Sequence, residues 1–587
     1  MVDPSLQDRY LKKSGTIFLT GVQAIVRFLL DKQRHDIGEG KRVRRTFVTG
    51  YEGSPLGGLD LEIRRNMDLL IARGNFVHQA AVNEKTATAA VHGSQFIGDV
   101  DGFWYGKAHG TKWALDEFSL ANIAGTGTES GVVVFAGDDH MAKSSGYPAG
   151  SENALRDARA AIFYPSSVAE ILTYAHHALS LSRYSGLICG LKLVTPICDG
   201  AETIEIIPDH PSVTLPDYRV DGKPFKKTFQ PVVIATSSIP YEEELTTIRL
   251  DIAKAYAQLN SNINDITNPD ASGPLGLIAT GKSHPDVMQA LQHMGLKDRI
   301  PVLKLGMIYP VDDKMVRRFA RDLTTIVVIE EKGPFVEEAV AHALVGSRLC
   351  DVYGKRGPRD EFFIPVHGEL NPDLLVQILG PFLGSLYPDA SVQDRLDQIT
   401  TIYHRETATH TRRAAHYCPG CPHSISAQAP SGEVAGGEIG CSSIDAYIHA
   451  DGRGVKYIPT MGLGGALNNG MFPFNDNQHL VQNIGDGTVL HSGLITILSS
   501  ISHGANVTYK ILWNHVVAMT GGQDITGQPT LDDFIVILFG LGIKEITVVS
   551  KYPDQVHLEK ARTITGLDHH LLVESRDQLA MVQKQLS

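Results

Sequence analysis

The chain has 587 residues, 43% apolar and 20% charged, enough for large cores and about three to four domains. Its 53 Lys and Arg stand against 65 Asp and Glu, a net charge of −12. With no basic run or aromatic–basic stripe, that excludes a nucleic-acid-binding surface. No stretch approaches the roughly 18 apolar residues of a membrane span, and residues 1–15 lack the apolar core of a secretory leader. Six cysteines are too few for a disulfide scaffold, so a reducing cytoplasm is the expected compartment.

In chain order, residues 15–200 read as one α/β domain. Thr46–Gly50 is a short strand ended by Tyr51-Glu52-Gly53-Ser54-Pro55-Leu56-Gly57-Gly58, with a helix over 59–72. Phe76–Val82 is the next strand and leads into Asn83-Glu84 and a helix over 86–93. Gly131–Ala136 is a buried-type strand followed by the polar loop Gly137-Asp138-Asp139-His140, at the strand end where α/β sites lie. His140 reads equally as a site residue or as a satisfied strand-end side chain. An amphipathic helix is expected over 167–182.

The proline-containing stretch 201–231 reads as a linker. A second, smaller α/β domain follows over 232–345, with strands at Leu275–Gly281 and Thr325–Glu331. Glu330-Glu331 reads as a solvated strand end, and 346–405 as a connecting region. Residues 406–587 form a third α/β domain. The expected fold class is thus α/β, with three doubly wound domains.

The third domain carries the organising motif. Leu480–Ile484 reads as a strand ending at Gly485-Asp486-Gly487, and Val507–Trp513 as the next strand, ending at Asn514. The segment between has helical length, with Gly493, Leu494, Ile497, Leu498 and Ile501 on one side. In a parallel sheet both strand ends point the same way, so Asp486 and Asn514 meet at one edge. A carboxylate and an amide oxygen there suit a hard divalent cation that completes its octahedron with phosphate oxygens. Gly485 and Gly487 let backbone approach a phosphate, and Met461-Gly462-Leu463-Gly464-Gly465 supplies a further Gly-rich loop. A lone Gly-Asp-Gly is common in turns; the coupled elements favour a Mg-diphosphate clamp.

The Gly-Asp-Gly…Asn pattern resembles that of thiamine diphosphate (TPP) enzymes. Cys418-Pro419-Gly420-Cys421-Pro422-His423, Gly440-Cys441 and Ala518-Met519-Thr520-Gly521-Gly522-Gln523 resemble the 2-oxoacid:ferredoxin oxidoreductases. Within them the nearest likeness is to the indolepyruvate:ferredoxin oxidoreductases in their long fused bacterial form. Tyr51–Gly58, Trp104-Tyr105-Gly106-Lys107, Ala136–His140 and Lys143-Ser144-Ser145 are similar to that form too. The resemblance implies that the three domains are of the pyrimidine, transketolase C-terminal-like and diphosphate types.

It also implies roles for matching residues. Asp486, Asn514 and the Val516 carbonyl would hold Mg²⁺ on the diphosphate. Thr488 and Thr520 would add hydroxyls, and Gly462, Gly464, Gly485 and Gly487 would line the cofactor. Glu84 would be the glutamate that bonds the aminopyrimidine and drives loss of the C2 proton; its bland alternative is a helix N-terminal acid favoured by the dipole. Ser54 would face the substrate carboxylate, a plain turn being the equal alternative. His491 would lie near the reacting carbon, or simply start a helix.

Cys418-x2-Cys421 with Cys441 is an incomplete metal site, since four ligands are normal. The resemblance implies a candidate [4Fe–4S] cluster, but this chain has no cysteine after Cys441. A partner chain, His416 or His423 would supply the fourth ligand, or the cluster is absent. The expected function is a TPP- and Mg-dependent subunit that decarboxylates an aryl or branched 2-oxoacid oxidatively to acyl-CoA. Coenzyme A would take the acyl group, ferredoxin the electrons, and an iron–sulfur partner subunit would complete an oligomer. The competing readings are a non-oxidative TPP decarboxylase or carboligase, and a non-catalytic scaffold subunit.

Overall fold

The computed structural model describes residues 5–38, 43–72, 74–207, 211–346, 350–388, 391–406, 415–430, 433–448, 454–474, 478–565 and 570–586. The prolines of the expected linker include Pro208, which lies outside these residues, as does the stretch 407–410 that follows the expected boundary at 405/406. The chain divides into two compact units, Met1–His410 and Thr411–Ser587.

The first unit contains two large sheets and, among the described residues, two two-stranded ones. The larger is built from β1 (Arg45–Gly50), β2 (Phe76–Ala80), β3 (Val100–Lys107), β4 (Val132–Asp138), β5 (Ala161–Phe163) and β6 (Ile188–Val194). Its strand order is β5–β6–β4–β3–β1–β2, all parallel, with the short strand Met307–Tyr309 added antiparallel outside β5. Every residue of β4 and β6 is buried. A parallel sheet covered on both faces demands such continuous apolar runs.

This order creates a switch. The chain leaves β1 toward β2 on one side, then crosses back over β1 to β3, and continues from β3 to β4. Connections from the carboxyl ends of β1 and β3 therefore diverge, and a crevice opens between them. The β1 end carries the Ser54 loop, and the β3 end carries Lys107 and His109. β3 was not expected as a strand, because Gly102 and Gly106 dilute its apolar run.

The second sheet joins β7 (Asn264–Thr267), β8 (Leu275–Thr280), β9 (Val302–Leu305), β10 (Thr325–Ile329) and β11 (Asp351–Tyr353). The order is β7–β9–β8–β10–β11, parallel except for β7. The residues read as a connection, 346–405, are integral to it. They supply edge strand β11 and the helix Pro372–Leu386, whose Leu375, Val376, Leu379 and Leu383 are buried in the core of this sheet. The expected linker likewise opens with a strand, Ala201–Ile206, paired antiparallel to Gly15–Thr20.

In the second unit β12 (Val434–Gly436), β13 (Leu480–Gly485) and β14 (Val507–Leu512) form a parallel sheet in the order β12–β13–β14. A separate parallel pair joins β15 (Ile546–Ser550) to β16 (Leu571–Ser575). Between β13 and β14 the chain turns through a wide π-type turn at Val489–Gly493 before the helix Leu494–Ser502. That helix buries Thr496, Ile497 and Ser500 and leaves Leu498 exposed. The buried stripe is thus set one position round from the expected face. The α/β class with parallel sheets is as the sequence led us to expect.

Candidate active site

In the first unit the candidate residues gather at the carboxyl edge of the larger sheet. The Tyr51 N–H donates to the Tyr105 carbonyl (3.2 Å) and the Leu56 N–H to the Gly53 carbonyl (2.8 Å), which folds the Ser54 loop back over the ends of β1 and β3. Ser54 is half-buried. Glu52 beside it is buried; burial pushes its carboxyl up to about 7, and the Asp60 and Glu84 carboxylates push the same way.

Glu84 is the first residue of the helix Glu84–Gln95, where Asn83 is the cap. The Asn83 side chain accepts the Thr86 N–H (2.9 Å) while the Thr86 hydroxyl accepts the Asn83 N–H (3.3 Å), a reciprocal capping box. The Glu84 carbonyl accepts the Trp104 indole N–H (3.2 Å) and the Thr88 hydroxyl (2.9 Å). Glu84 is only 8% exposed. Its carboxyl lies against Gly110, where a Cβ would stand 2.7 Å from Oε1. A simple dipole-favoured acid at a helix start would point into solvent; this one is walled in.

Lys107 and His109 stand on the same wall. The Lys107 ammonium donates to the Ser144 carbonyl (2.6 Å). Burial depresses its pKa, while Asp139 and Glu84 favour its charge. Burial, Lys107 and Lys112 push the His109 ring down to about 4, so the imidazole is neutral at physiological pH.

His140 is buried between two carboxylates, Nε2 3.8 Å from Asp138 Oδ2 and Nδ1 3.8 Å from Glu331 Oε2. Burial works to raise the Asp138 carboxyl, but Lys192, His140 and the Ser151 N–H hold it below the usual range. Glu330 and Glu331, expected in solvent, are each only 4% exposed. Glu330 accepts the Val336 and Glu337 N–H groups (2.8 and 2.9 Å), and Glu331 accepts the Leu370 N–H (3.1 Å). The strand end is buried because it satisfies backbone donors of the next helix and a following loop. Burial leaves the Glu330 carboxyl at about 7.

The second unit brings Asp486 and Asn514 together. β13 and β14 are paired in register from Leu480↔Val507 to Gly485↔Leu512, so their carboxyl ends lie side by side. Asp486, 1% exposed, accepts the Gly487 N–H on Oδ1 (2.9 Å), and the Asn514 and His515 N–H groups on Oδ2 (2.9 and 2.7 Å). The Asn514 side-chain oxygen accepts the Val516 N–H (3.1 Å). Oδ2 also accepts the Gln528 amide (3.3 Å) and is saturated, but Asp486 Oδ1 and the Asn514 side-chain oxygen each keep a lone pair, and one carboxylate plus one amide oxygen is a donor set for Mg²⁺. Val516 opens a two-residue strand paired with Gln523–Asp524. The Thr488 hydroxyl donates to the Ile439 carbonyl (2.9 Å) and the Thr520 hydroxyl to Gln523 Oε1 (2.8 Å). His491 is buried, with Nδ1 2.8 Å from the Ser492 hydroxyl.

The glycines divide by the space around them. A Cβ on Gly485 would meet nothing nearer than Thr488 Oγ1 at 3.9 Å, and one on Gly487 nothing nearer than Ile525 at 3.6 Å. Packing therefore does not demand glycine at either, and backbone there is open to a ligand. Gly462 and Gly464 differ. A Cβ on Gly464 would stand 2.7 Å from Glu438 Oε2, and Gly462 has φ +83° against the Ser492 side chain. Glu438, fully buried, accepts the Gly462 N–H. Burial pushes its carboxyl up to about 8 against the pull of the Gly462, Leu463 and Gly464 N–H groups. Glu438 lies 24 residues from Gly462, and only the sheet reveals the link.

Cys418 is exposed, and Cys421 and Cys441 are half-buried, all as free thiols. Cys418 and Cys421 close one turn, the Cys421 N–H donating to the Cys418 carbonyl (3.0 Å). Burial raises the Cys441 thiol, and Cys421, Cys418 and Asp486 raise it further, so the trio and the Asp486 edge are neighbours. Burial lowers His423 while Asp486 opposes it; His416 Nδ1 is 2.9 Å from the Tyr417 carbonyl. Among the described residues, however, no three His, Cys, Asp or Glu side chains stand where they could hold a metal ion. The trio as arranged does not make a metal site.

A family model described as the indolepyruvate oxidoreductase domain matches residues 266–406, a span that includes the helices flanking the second sheet. Similar proteins include the indolepyruvate oxidoreductase subunit IorA of Methanothermobacter thermautotrophicus, 27% identical over 530 residues, covering 88% of this chain and 78% of that one. IorA of Archaeoglobus fulgidus is 24% identical over 550 residues, covering 91% and 83%. Among solved structures, a 2-oxoglutarate:ferredoxin oxidoreductase from Magnetococcus marinus aligns with TM-score 0.44 and 13% identity over 62% of this chain and 64% of that one.

Proposed function

We propose that this chain, related along most of its length to indolepyruvate oxidoreductase subunits, is an oxidoreductase subunit acting on a 2-oxoacid with thiamine diphosphate and Mg²⁺. The substrate is an aryl or branched 2-oxoacid; CO2 is released, coenzyme A takes the acyl group, and two electrons leave toward ferredoxin. In this reading residues 15–200 are a pyrimidine-type domain and 406–587 a diphosphate-type domain. Residues 232–345 are the transketolase C-terminal-like part, whose sheet 346–405 completes with an edge strand and a helix, and 201–231 are the linker before it. A partner subunit completes the enzyme. No helix among the described residues is long and apolar enough to cross a membrane.

The observation that carries this reading is the Asp486–Asn514 edge. Two oxygen donors with spare lone pairs sit beside two glycines whose faces are open. Asp486, Asn514 and the Val516 carbonyl hold Mg²⁺; Gly485, Gly487, Thr488 and Thr520 line the phosphates; Gly462 and Gly464 set the adjoining loop. Thiamine diphosphate, when bound, would supply a nucleophilic carbon and an electron sink for the pair freed by decarboxylation. Glu84, held against Gly110, would share a proton with the aminopyrimidine of the bound cofactor and so promote loss of its C2 hydrogen. Ser54 faces the substrate, and His491 lies near the reacting carbon.

Cys418, Cys421 and Cys441 are the candidate thiolates for a [4Fe–4S] cluster, with the fourth ligand from a partner chain. Because the trio is not arranged as a metal site in this chain, a second reading has a specific basis: a non-oxidative decarboxylase or carboligase with the same cofactor. Iron content and product analysis separate the two. The oxidative reading expects iron and acyl-CoA in the preparation with its partner; a fully active, iron-free preparation making aldehyde overturns it.

A further inference from the structure

Three strand ends converge on Lys107. β3, which it terminates, lies between β1 and β4 in the sheet. The stem of Lys107 packs on the Ser54 loop so tightly that a Cβ on Gly53 would stand 3.0 Å from Lys107 Cβ. Its ammonium feels Asp139 from the β4 end and Glu84 from the β2 end. This is the crevice at the switch point of the sheet, where α/β proteins bind small ligands.

Two residues on, both ring nitrogens of His109 are shielded from solvent without a hydrogen-bond partner among the described residues. A buried imidazole with neither nitrogen satisfied costs free energy unless a ligand completes it. The Tyr147 ring stands edge-on over it, centroids 4.4 Å apart. Its neighbour Gly110 touches the Glu84 carboxyl. The turn thus offers, beside Glu84, one cation and one neutral ring able to donate a single N–H.

That pair matches a carboxylate adjoining a carbonyl. Lys107 already faces two acidic residues, Glu84 and Asp139, so a small monoanion is a better occupant than a phosphate dianion. The ammonium now bonds a backbone carbonyl, Ser144, which a carboxylate can replace with a charge-assisted bond.

We propose that Lys107 and His109 are the substrate-holding pair of this crevice, Lys107 taking the carboxylate and His109 donating to the 2-oxo oxygen of the 2-oxoacid. The inference rests on the 2-oxoacid reading above. In the sequence Lys107 ends the Trp104-Tyr105-Gly106-Lys107 stretch, and His109 lies in no motif.

The test uses the protein with its partner, loaded with thiamine diphosphate and Mg²⁺. The substrate is phenylpyruvate or 2-oxoisovalerate, whichever the wild type turns over faster. Steady-state constants are measured on that acid, and equilibrium binding on the matching 2-hydroxy acid, which cannot decarboxylate. Lys107→Gln is expected to raise KM and the 2-hydroxy acid Kd about tenfold or more, with Lys107→Arg within about threefold of wild type. His109→Phe is expected to lower kcat/KM about tenfold, with His109→Gln restoring most of it. Thiamine diphosphate affinity, measured in each variant, reports folding. If the wild type turns over a 2-oxoacid while Lys107→Gln and His109→Phe bind the 2-hydroxy acid normally, the pair is wrong and the parent reading stands. Loss of coenzyme A affinity alone in Lys107→Gln also overturns the assignment. A wild type that binds the cofactor yet neither binds nor turns over any 2-oxoacid overturns both.

Discussion

Gly110→Ala probes the Glu84 assignment by a single carbon atom. The new Cβ would stand 2.3 Å from Glu84 Cγ, 2.7 Å from Oε1 and 2.8 Å from the carboxyl carbon, where ordinary contact needs about 3.5 Å. Glu84 must therefore retreat by roughly 1.2 Å. Misplacement of about 1 Å costs on the order of 100-fold in a positioned reaction, so a 10- to 100-fold fall in rate is expected. Stability changes less. Overpacking costs about 1–3 kcal/mol, and the helical Gly→Ala exchange returns about 1 kcal/mol, leaving a net loss of about 0–2 kcal/mol. The assay is exchange of the C2 hydrogen of bound thiamine diphosphate with deuterium, followed by acid quench and NMR, beside a calorimetric melt. Glu84→Ala should bind the cofactor and exchange slowly. Wild-type exchange in both variants, with cofactor bound, would refute the role given to Glu84.

Glu438 makes a pH prediction for the second unit. Its buried carboxyl is raised from 4.5 to about 8, so its contribution to stability is present below about pH 4.5 and is lost as pH rises through 8. Glu438→Gln should flatten the fall in Tm between pH 5 and 8.5; an unchanged slope would show that another group causes it. The raised Cys441 thiol should be alkylated by iodoacetamide at pH 8 more slowly than a cysteine in a short peptide, because less thiolate is present. Labelling at the peptide rate would contradict the crowding of the three thiols.

The Asp486–Asn514 edge was legible because it needs only two strands, a crossover and the rule that parallel strand ends point alike. Glu84 was legible as a helix start, since Asn83 and Thr86 are local capping chemistry. What was hidden depends on distant partners. Glu330 and Glu331 looked solvated because the donors they accept, the N–H groups of Val336, Glu337 and Leu370, lie beyond the strand. Gly462 and Gly464 looked like ligand glycines, yet Glu438 and Ser492 already occupy the space beside them. The helix Pro372–Leu386 was missed although Leu375, Leu379 and Leu383 recur at helical spacing; Pro381 within it masked the pattern. His109 carried no signal at all, because an unpartnered ring is visible only once its surroundings are known.

The account turns on whether Asp486 holds a metal against a diphosphate. Titration of thiamine diphosphate into the purified chain, with Mg²⁺ and with excess chelator, measures this most directly, with Asp486→Asn as the variant that keeps the side-chain shape. Saturable binding that requires Mg²⁺ in the wild type and disappears in Asp486→Asn is the predicted result. Binding that ignores Mg²⁺, or that survives unchanged in the variant, would contradict it.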